Sequence, residues 1–200
     1  FNYAEQSQIL IINDLDTRNM GRVADAYRSL FEASDGGALG LFTAIQRLKA
    51  VHEILSPRLE KTGLHLYAQH VDGMEITTLV DLFKLDQKAC LLGTDAIRDG
   101  VDIPGESLKL LVFDKVPWPR PNLLHKARRK KFGARLYDEY LTKQKLKQAF
   151  GRLIRRQTDR GIFVMLESRL PSRLLDAFPE DAPIKRISLF EAVEEIKRFY

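Results

Sequence analysis

Short aliphatic runs alternate with amphipathic segments along almost the whole chain, and this alternation limits the possible folds more than any other feature. Candidate strands fall at residues 8–12, 38–43, 63–68, 89–92, 108–116, 161–166 and 184–188. The stretches between them place apolar residues at helical spacing. Met20, Val23, Ala24, Tyr27, Leu30 and Phe31 do so within 17–33, and Ile45, Leu48, Val51 and Leu55 within 44–55. Further helices are predicted over 76–85, 123–132, 134–156 and 189–200, with a short one over 169–178. Gly36-Gly37 should end the first helix and Pro57 the second. Strands separated by helices join as crossovers in a parallel sheet. The expectation is an α/β fold, a mainly parallel sheet with helices on both faces, in one domain over residues 1–200.

Ligands of such sheets gather beyond the carboxyl ends of the strands. Thr94 and Asp95 directly follow the 89–92 strand, where a phosphate contact is expected, and Thr43 closes the 38–43 strand. Thr43 reads equally well as a helix cap. After Thr94 comes a loop ending Gly100-Val101-Asp102-Ile103-Pro104-Gly105. Its Gly100 lets a ligand or a neighbouring chain approach closely, and Asp102 offers a carboxylate to a ribose hydroxyl or an arginine. Asp14 and Asp16 follow the first strand and read as turn formers or helix caps rather than metal carboxylates.

The stretch Gln148-Ala149-Phe150-Gly151-Arg152-Leu153-Ile154-Arg155-Arg156 holds too much arginine for ordinary core. On a helix, Gln148, Arg152 and Arg155 leave from one face while Leu153 and Ile154 turn inward. An amide and two forked cations that stay charged at physiological pH suit a polyphosphate. Taken alone, the same residues read equally as a solvated basic face.

Charge is unevenly spread. Fourteen of the 32 Lys and Arg residues lie between Lys115 and Arg156 against two acids, Asp138 and Glu139. That segment carries +12 and the remainder −7 of the net +5. Clustered cations, here Lys126, Arg128, Arg129, Lys130 and Lys131, favour a polyanionic partner over a merely solvated surface.

The single cysteine, Cys90, excludes an internal disulfide and reads as a packed small hydrophobe, while four scattered histidines show no metal-ligand spacing. No apolar run approaches the roughly 18 residues of a membrane span. The expectation is a soluble, cytoplasmic protein, nucleoid-associated if bacterial, and, since Phe1 opens the chain without methionine, a domain excised from a longer one.

Two motifs in this order resemble motifs V and VI in the second RecA-like domain of superfamily 2 helicases, most closely the DinG/XPD-like group. Thr94-Asp95 and Gly100-Val101-Asp102 match T-D-x-x-x-x-G-x-D, Gly100 to Gly105 reads as G-V-D-x-P-G, and Gln148 to Arg155 fits Q-x-x-G-R-L-I-R. Leu41-Phe42-Thr43 takes the place of motif IV, and Pro117-Trp118-Pro119-Arg120-Pro121 that of the L-P-F-x-x-P element, where packing of Trp118 beneath the loop is favoured over stacking on a base. The chain departs from the pattern at Ile97-Arg98-Asp99, which lacks the group's aromatic pair, at Ala149 and at Thr142-Lys143.

The resemblance implies a RecA-like (P-loop NTPase-type) domain forming half of an ATP site. Thr43 and Thr94 would touch the nucleic-acid backbone; Gln148, Gly100, Asp102, Arg152 and Arg155 would face ATP, the two arginines acting catalytically. No G-x-x-x-x-G-K-[ST] loop and no D-E-x-H motif is present. An N-terminal RecA-like domain of the same protein would therefore supply most contacts to ATP and Mg2+, and in many members an iron-sulfur cluster. The implied activity is ATP-dependent translocation on single-stranded DNA, 5′ to 3′, with duplex unwinding. Another superfamily 2 motor acting on RNA or DNA, or a non-catalytic nucleic-acid-binding module, remains compatible with the residues.

Overall fold

The structure is a computed structural model that describes residues 1–100, 103 and 107–200; of residues 98–100 it describes the backbone. Its elements in chain order are α1 (Tyr3–Gln6), β1 (Ser7–Ile12), α2 (Met20–Ser34), β2 (Ala38–Leu41), α3 (Ile45–Leu59), β3 (His65–Ala68), α4 (Ile76–Leu85), β4 (Ala89–Gly93), α5 (Asp95–Gly100), β5 (Leu110–Phe113), α6 (Leu123–Phe132), α7 (Ala134–Leu153), β6 (Gly161–Met165), β7 (Ile184–Ile187) and α8 (Leu189–Phe199). The seven strands of the described residues form one sheet in the order β3-β4-β2-β5-β6-β1-β7, and every pairing is parallel. The expected α/β architecture is what the chain adopts.

Alternation along each strand sorts the core into two layers. Ile9, Ile11, Leu39, Leu41, Leu91, Leu111 and Phe113 face α4, α5 and α7. Leu10, Ile12, Ala38, Cys90, Leu92, Leu110 and Val112 face α2, α3 and α8. Because side chains alternate with a period of two, slipping a strand by one residue would exchange the two sets, so helices on both sides fix the register.

Capping signals explain several helix ends. The Asn19 side chain accepts from the Arg22 N–H at 3.2 Å to open α2, and Asp35 (φ 54°) with Gly36 (φ 87°) turns the chain out of it. Ser188 and Glu191 form a reciprocal capping box at α8, while Asp14 accepts from the Leu189 N–H at 2.8 Å. Asp14 and Asp16 thus serve as a cap and a turn former, as read from the sequence.

Several boundaries differ from the sequence reading. Helix α3 runs through Pro57 to Leu59, since a proline in the last turn loses one hydrogen bond while Leu55 and Leu59 gain complete burial. Residues 95–100 form a short helix rather than a loop, and 172–177 a 3-10 turn. Most consequential, α7 stops at Leu153 instead of Arg156, with Ile154 extended at φ −121°.

At the centre of the sheet, the Tyr27 ring lies on Gly40 and stacks with Phe42 at 5.1 Å between centroids. Burial pushes the Tyr27 phenol well above its ordinary value, keeping it a neutral donor to the Val112 carbonyl at 3.5 Å. A methyl at Gly40 would stand 2.7 Å from Tyr27 Cε1 and 2.9 Å from Leu92 Cδ2, with no free space to take it. Gly40→Ala is therefore expected to destabilise the chain by about 1–3 kcal/mol through overpacking, read as a lower urea midpoint at unchanged slope. A wild-type midpoint would mean that the ring can move aside.

Candidate nucleic-acid and nucleotide interface

Strands β2 and β5 are neighbours, but the chain leaves β2 for α3 on one face and β5 for α7 on the other. A crevice opens at the carboxyl ends of such a pair. Asp114, fully buried one residue after β5, organises it. Its carboxylate takes Arg47 Nε at 2.5 Å and the Thr43 N–H at 3.3 Å, and Arg47 also donates to the Thr17 carbonyl at 2.9 Å. Burial raises the Asp114 carboxyl above its ordinary value, and the opposing Arg47 bond and charge, the Thr43 N–H and Lys115 only partly offset it. Arg120 reaches the Thr43 carbonyl from the opposite side.

Thr43 is thus fixed through its backbone at both ends. Its hydroxyl makes no hydrogen bond among the described residues, and the N-cap of α3 is Ala44 without a side-chain cap, so Thr43 does not cap that helix. Asp114 and Arg47 escaped the sequence reading. Their signal was an acid inside the apolar run read as the 108–116 strand, and a cation in a helix first turn, where the helix dipole disfavours it.

Thr94 stands at the carboxyl end of β4. The buried Gln69, just after β3, accepts with Oε1 from both the Thr94 N–H (2.9 Å) and its hydroxyl (3.0 Å), and donates its own N–H to the Leu92 carbonyl at 2.9 Å. The hydroxyl proton is committed, so Thr94 can donate to a phosphate oxygen only by releasing Gln69. The next residue, Asp95, pairs with Lys145 of α7 at 3.4 Å. Gly100 ends α5, whereas Asp102 lies outside the described residues.

Helix α7 returns towards the amino ends of the strands, where Leu153 packs against Gly161 at the start of β6. Gln148 and Gly151 are exposed on its last turns, and Arg152, half-buried, lines a small cavity with Leu41, Ile97, Ile103, Leu111 and Ala149. Ile97 and Ile103 of the first motif segment therefore meet Ala149 and Arg152 of the second along one face of the sheet. Arg155 departs from the expected helix face, because it lies beyond the last helical residue.

What places Arg155 is a buried polar knot. The Asp159 carboxylate accepts the backbone N–H groups of Arg155 and Arg156, each at 2.8 Å. The buried Gln6 amide donates to the carbonyls of Arg156, Gln157 and Asp159 at 3.1, 3.0 and 2.9 Å. Neither Gln6 nor Asp159 was singled out in the sequence; nothing local marks Gln6, which acts 150 positions away, while Asp159 acts only three and four positions back.

The basic helix α6 projects from the carboxyl side of the sheet, with Lys126, Arg128, Lys130 and Lys131 exposed. Arg129 differs, being paired with Asp138 at 3.3 Å, an acid that also meets His125 Nε2 at 2.9 Å. Arg128 donates to the Tyr137 hydroxyl at 3.4 Å. Among the described residues no three His, Cys, Asp or Glu side chains converge as metal ligands, and no helix is long and apolar enough to cross a membrane. Cys90 is fully buried in β4, and burial raises its thiol pKa.

Removing the Asp159 carboxylate would strand two backbone donors. Asp159→Ala should cost about 1–3 kcal/mol in urea unfolding, and Asp159→Asn distinctly less because an amide oxygen can still accept. Equal midpoints for alanine and wild type would show that water takes over both donors.

With this geometry in hand, comparison with known proteins is specific. The family model described as the helicase C-terminal domain matches residues 27–183. The ATP-dependent helicase DinG of Mycobacterium tuberculosis is 37% identical over 148 residues, covering 70% of this chain and 22% of that protein. The Bacillus subtilis protein named 3'-5' exonuclease DinG is 30% identical over 198 residues, covering 90% and 21%. A solved structure of an XPD helicase superposes with a TM-score of 0.63 at 16% identity, over 90% of this chain and 35% of that one. The chain spans about a fifth of the length of these curated relatives. It belongs to the helicase C-terminal domain family, as a second RecA-like domain of the DinG/XPD-like group of superfamily 2.

Proposed function

We propose that this domain is the C-terminal half of an ATP-dependent DNA helicase, which turns ATP hydrolysis at a two-domain cleft into 5′ to 3′ movement along single-stranded DNA and duplex unwinding. The observation that carries this reading is the meeting of two elements. Thr94 stands on the carboxyl edge of the sheet, Ile97 and Ile103 lie beside Arg152, and Asp95 is tied to Lys145 of the same helix. A change at either end is felt at the other through packed side chains and an ion pair.

On this reading Thr43 and Thr94 meet the DNA backbone, and the exposed cations Lys126, Arg128, Lys130 and Lys131, with Arg129 held nearby by Asp138, gather phosphates. Gln148, Gly100, Asp102, Arg152 and Arg155 face ATP. The N-terminal RecA-like domain holds ATP and Mg2+, and an iron-sulfur cluster, where present, belongs outside this chain. Arg152 and Arg155 reach the γ-phosphate on closure. Negative charge redistributes on that phosphoryl group as its bond breaks, and guanidinium groups delivered there favour the transition state over the ground state.

In the full-length protein Arg155→Ala should lower DNA-stimulated ATPase by about 10³- to 10⁵-fold, with single-stranded DNA affinity in the absence of nucleotide nearly unchanged. Arg152→Ala should behave similarly, and lysine should not rescue Arg155 because a point charge lacks the fork. Loss of DNA binding with ATPase retained would reassign this face to DNA. The 200-residue chain alone should not turn over ATP, and rigorously purified chain that does so would contradict the half-site reading.

Binding of single-stranded DNA to that chain should weaken with salt by about 0.7 in log K per log salt for each phosphate neutralised. Neutralising Lys126, Arg128, Lys130 and Lys131 together should flatten the slope. An unchanged slope would make α6 a solvated face.

A further inference from the structure

Immediately after β5 the chain reads Val116-Pro117-Trp118-Pro119-Arg120, and Trp118 is the protein's only tryptophan. Packing beneath the loop was the expected role of this indole, yet Trp118 is 40% exposed while Val116 and Pro117 are buried. Among the described residues it makes no ring-ring contact. An indole of that size left partly in water on a proline-stiffened segment points to an external partner.

The segment beneath it is fixed at three points. Glu167 Oε2 accepts the Val116 N–H at 2.8 Å, the Trp118 N–H donates to the Val116 carbonyl at 2.8 Å in a three-residue turn centred on Pro117, and Arg120 binds the Thr43 carbonyl. Prolines on both sides remove backbone freedom. Little conformational entropy remains to be lost when something settles on the ring.

Position and charge select that partner. Through Arg120 the platform is tied to Thr43 at the β2–β5 crevice, and the chain continues from it into the basic helix α6. Arg120 is exposed and Lys115 half-buried, and neither makes an ion pair with an acid among the described residues. An aromatic face flanked by cations is the arrangement that holds a single strand, with phosphates on the cations and a base on the ring.

Resting on the function proposed above, we propose that Trp118 is a base-stacking platform for single-stranded DNA, placed between the backbone contacts at Thr43 and the cations of α6. Stacking tolerates any base, so Trp118 grips the strand without reading sequence.

The test uses the 200-residue chain, whose fluorescence comes from one indole, with a labelled oligothymidylate and an abasic oligomer of equal length at low salt. Oligothymidylate should quench the fluorescence along the same isotherm that anisotropy reports. Trp118→Ala should weaken oligothymidylate binding by about 5- to 150-fold, as loss of one stacked base does, and leave the abasic oligomer unaffected; Trp118→Phe should keep most of the affinity. Binding without quenching, with Trp118→Ala as tight as wild type, would overturn the platform and leave the helicase reading intact. Equal losses for both oligomers would mark Trp118 as structural and also overturn it. Binding of neither oligomer to wild-type chain would count against the DNA-binding reading itself, and the platform would fall with it.

Discussion

Each inner strand of this domain is apolar on both faces because helices cover both, and that two-sided burial governs what the remaining residues can do. Alternating side chains are divided between two cores, so no strand can slip without exchanging its layers. Parallel pairing forces each strand to be followed by a return over the sheet. Polar side chains are thereby driven to the strand ends and to the outer faces of the returning helices. The candidate contacts collect in those places: Thr43, Thr94, Trp118 and α6 at the carboxyl edge, and Gln148, Arg152 and Arg155 on and just beyond the end of α7.

A second layer of design lies in a few buried polar groups that hold half-buried ones in place. Asp114 fixes Thr43 through its N–H, Gln69 holds Thr94 through two bonds to one oxygen, and Asp159 with Gln6 shapes the turn that carries Arg155. Burying such groups is costly unless each finds a partner. Here the partners are largely backbone groups of the segments that carry candidate residues, so satisfying the buried atom and positioning the half-buried residue are one event.

The same arrangement suggests how two distant events could be linked. Motif V is at once the cap of a sheet strand and a neighbour of the motif VI helix, through the Asp95–Lys145 pair and the packing of Ile97 and Ile103 near Arg152. Gly151 sits exposed one residue before Arg152, and a methyl added there would meet nothing within 4 Å among the described residues. A mid-helix glycine costs about 1 kcal/mol relative to alanine, and no contact among the described residues requires it. A surface approaching from outside would give it a reason.

Periodicity alone determined the fold class, because a helix repeat of 3.6 and a strand repeat of two are local properties of a dozen residues or fewer. Motif spacing singled out Thr94, Arg152 and Arg155 for a similar reason, since each motif occupies one strand end or one helix end. Tertiary structure alone decided where those groups stand. The termination of α7 at Leu153 depends on Asp159 and on Gln6 at the opposite end of the chain. Passage of α3 through Pro57 depends on leucines buried against other elements, and the exposure of Trp118 on a segment anchored by Glu167 and Thr43. Apart from the short-range bonds of Asp159, no local pattern encodes these outcomes, because the interactions that fix them close over long sequence separations and exist only once the sheet has brought their partners together.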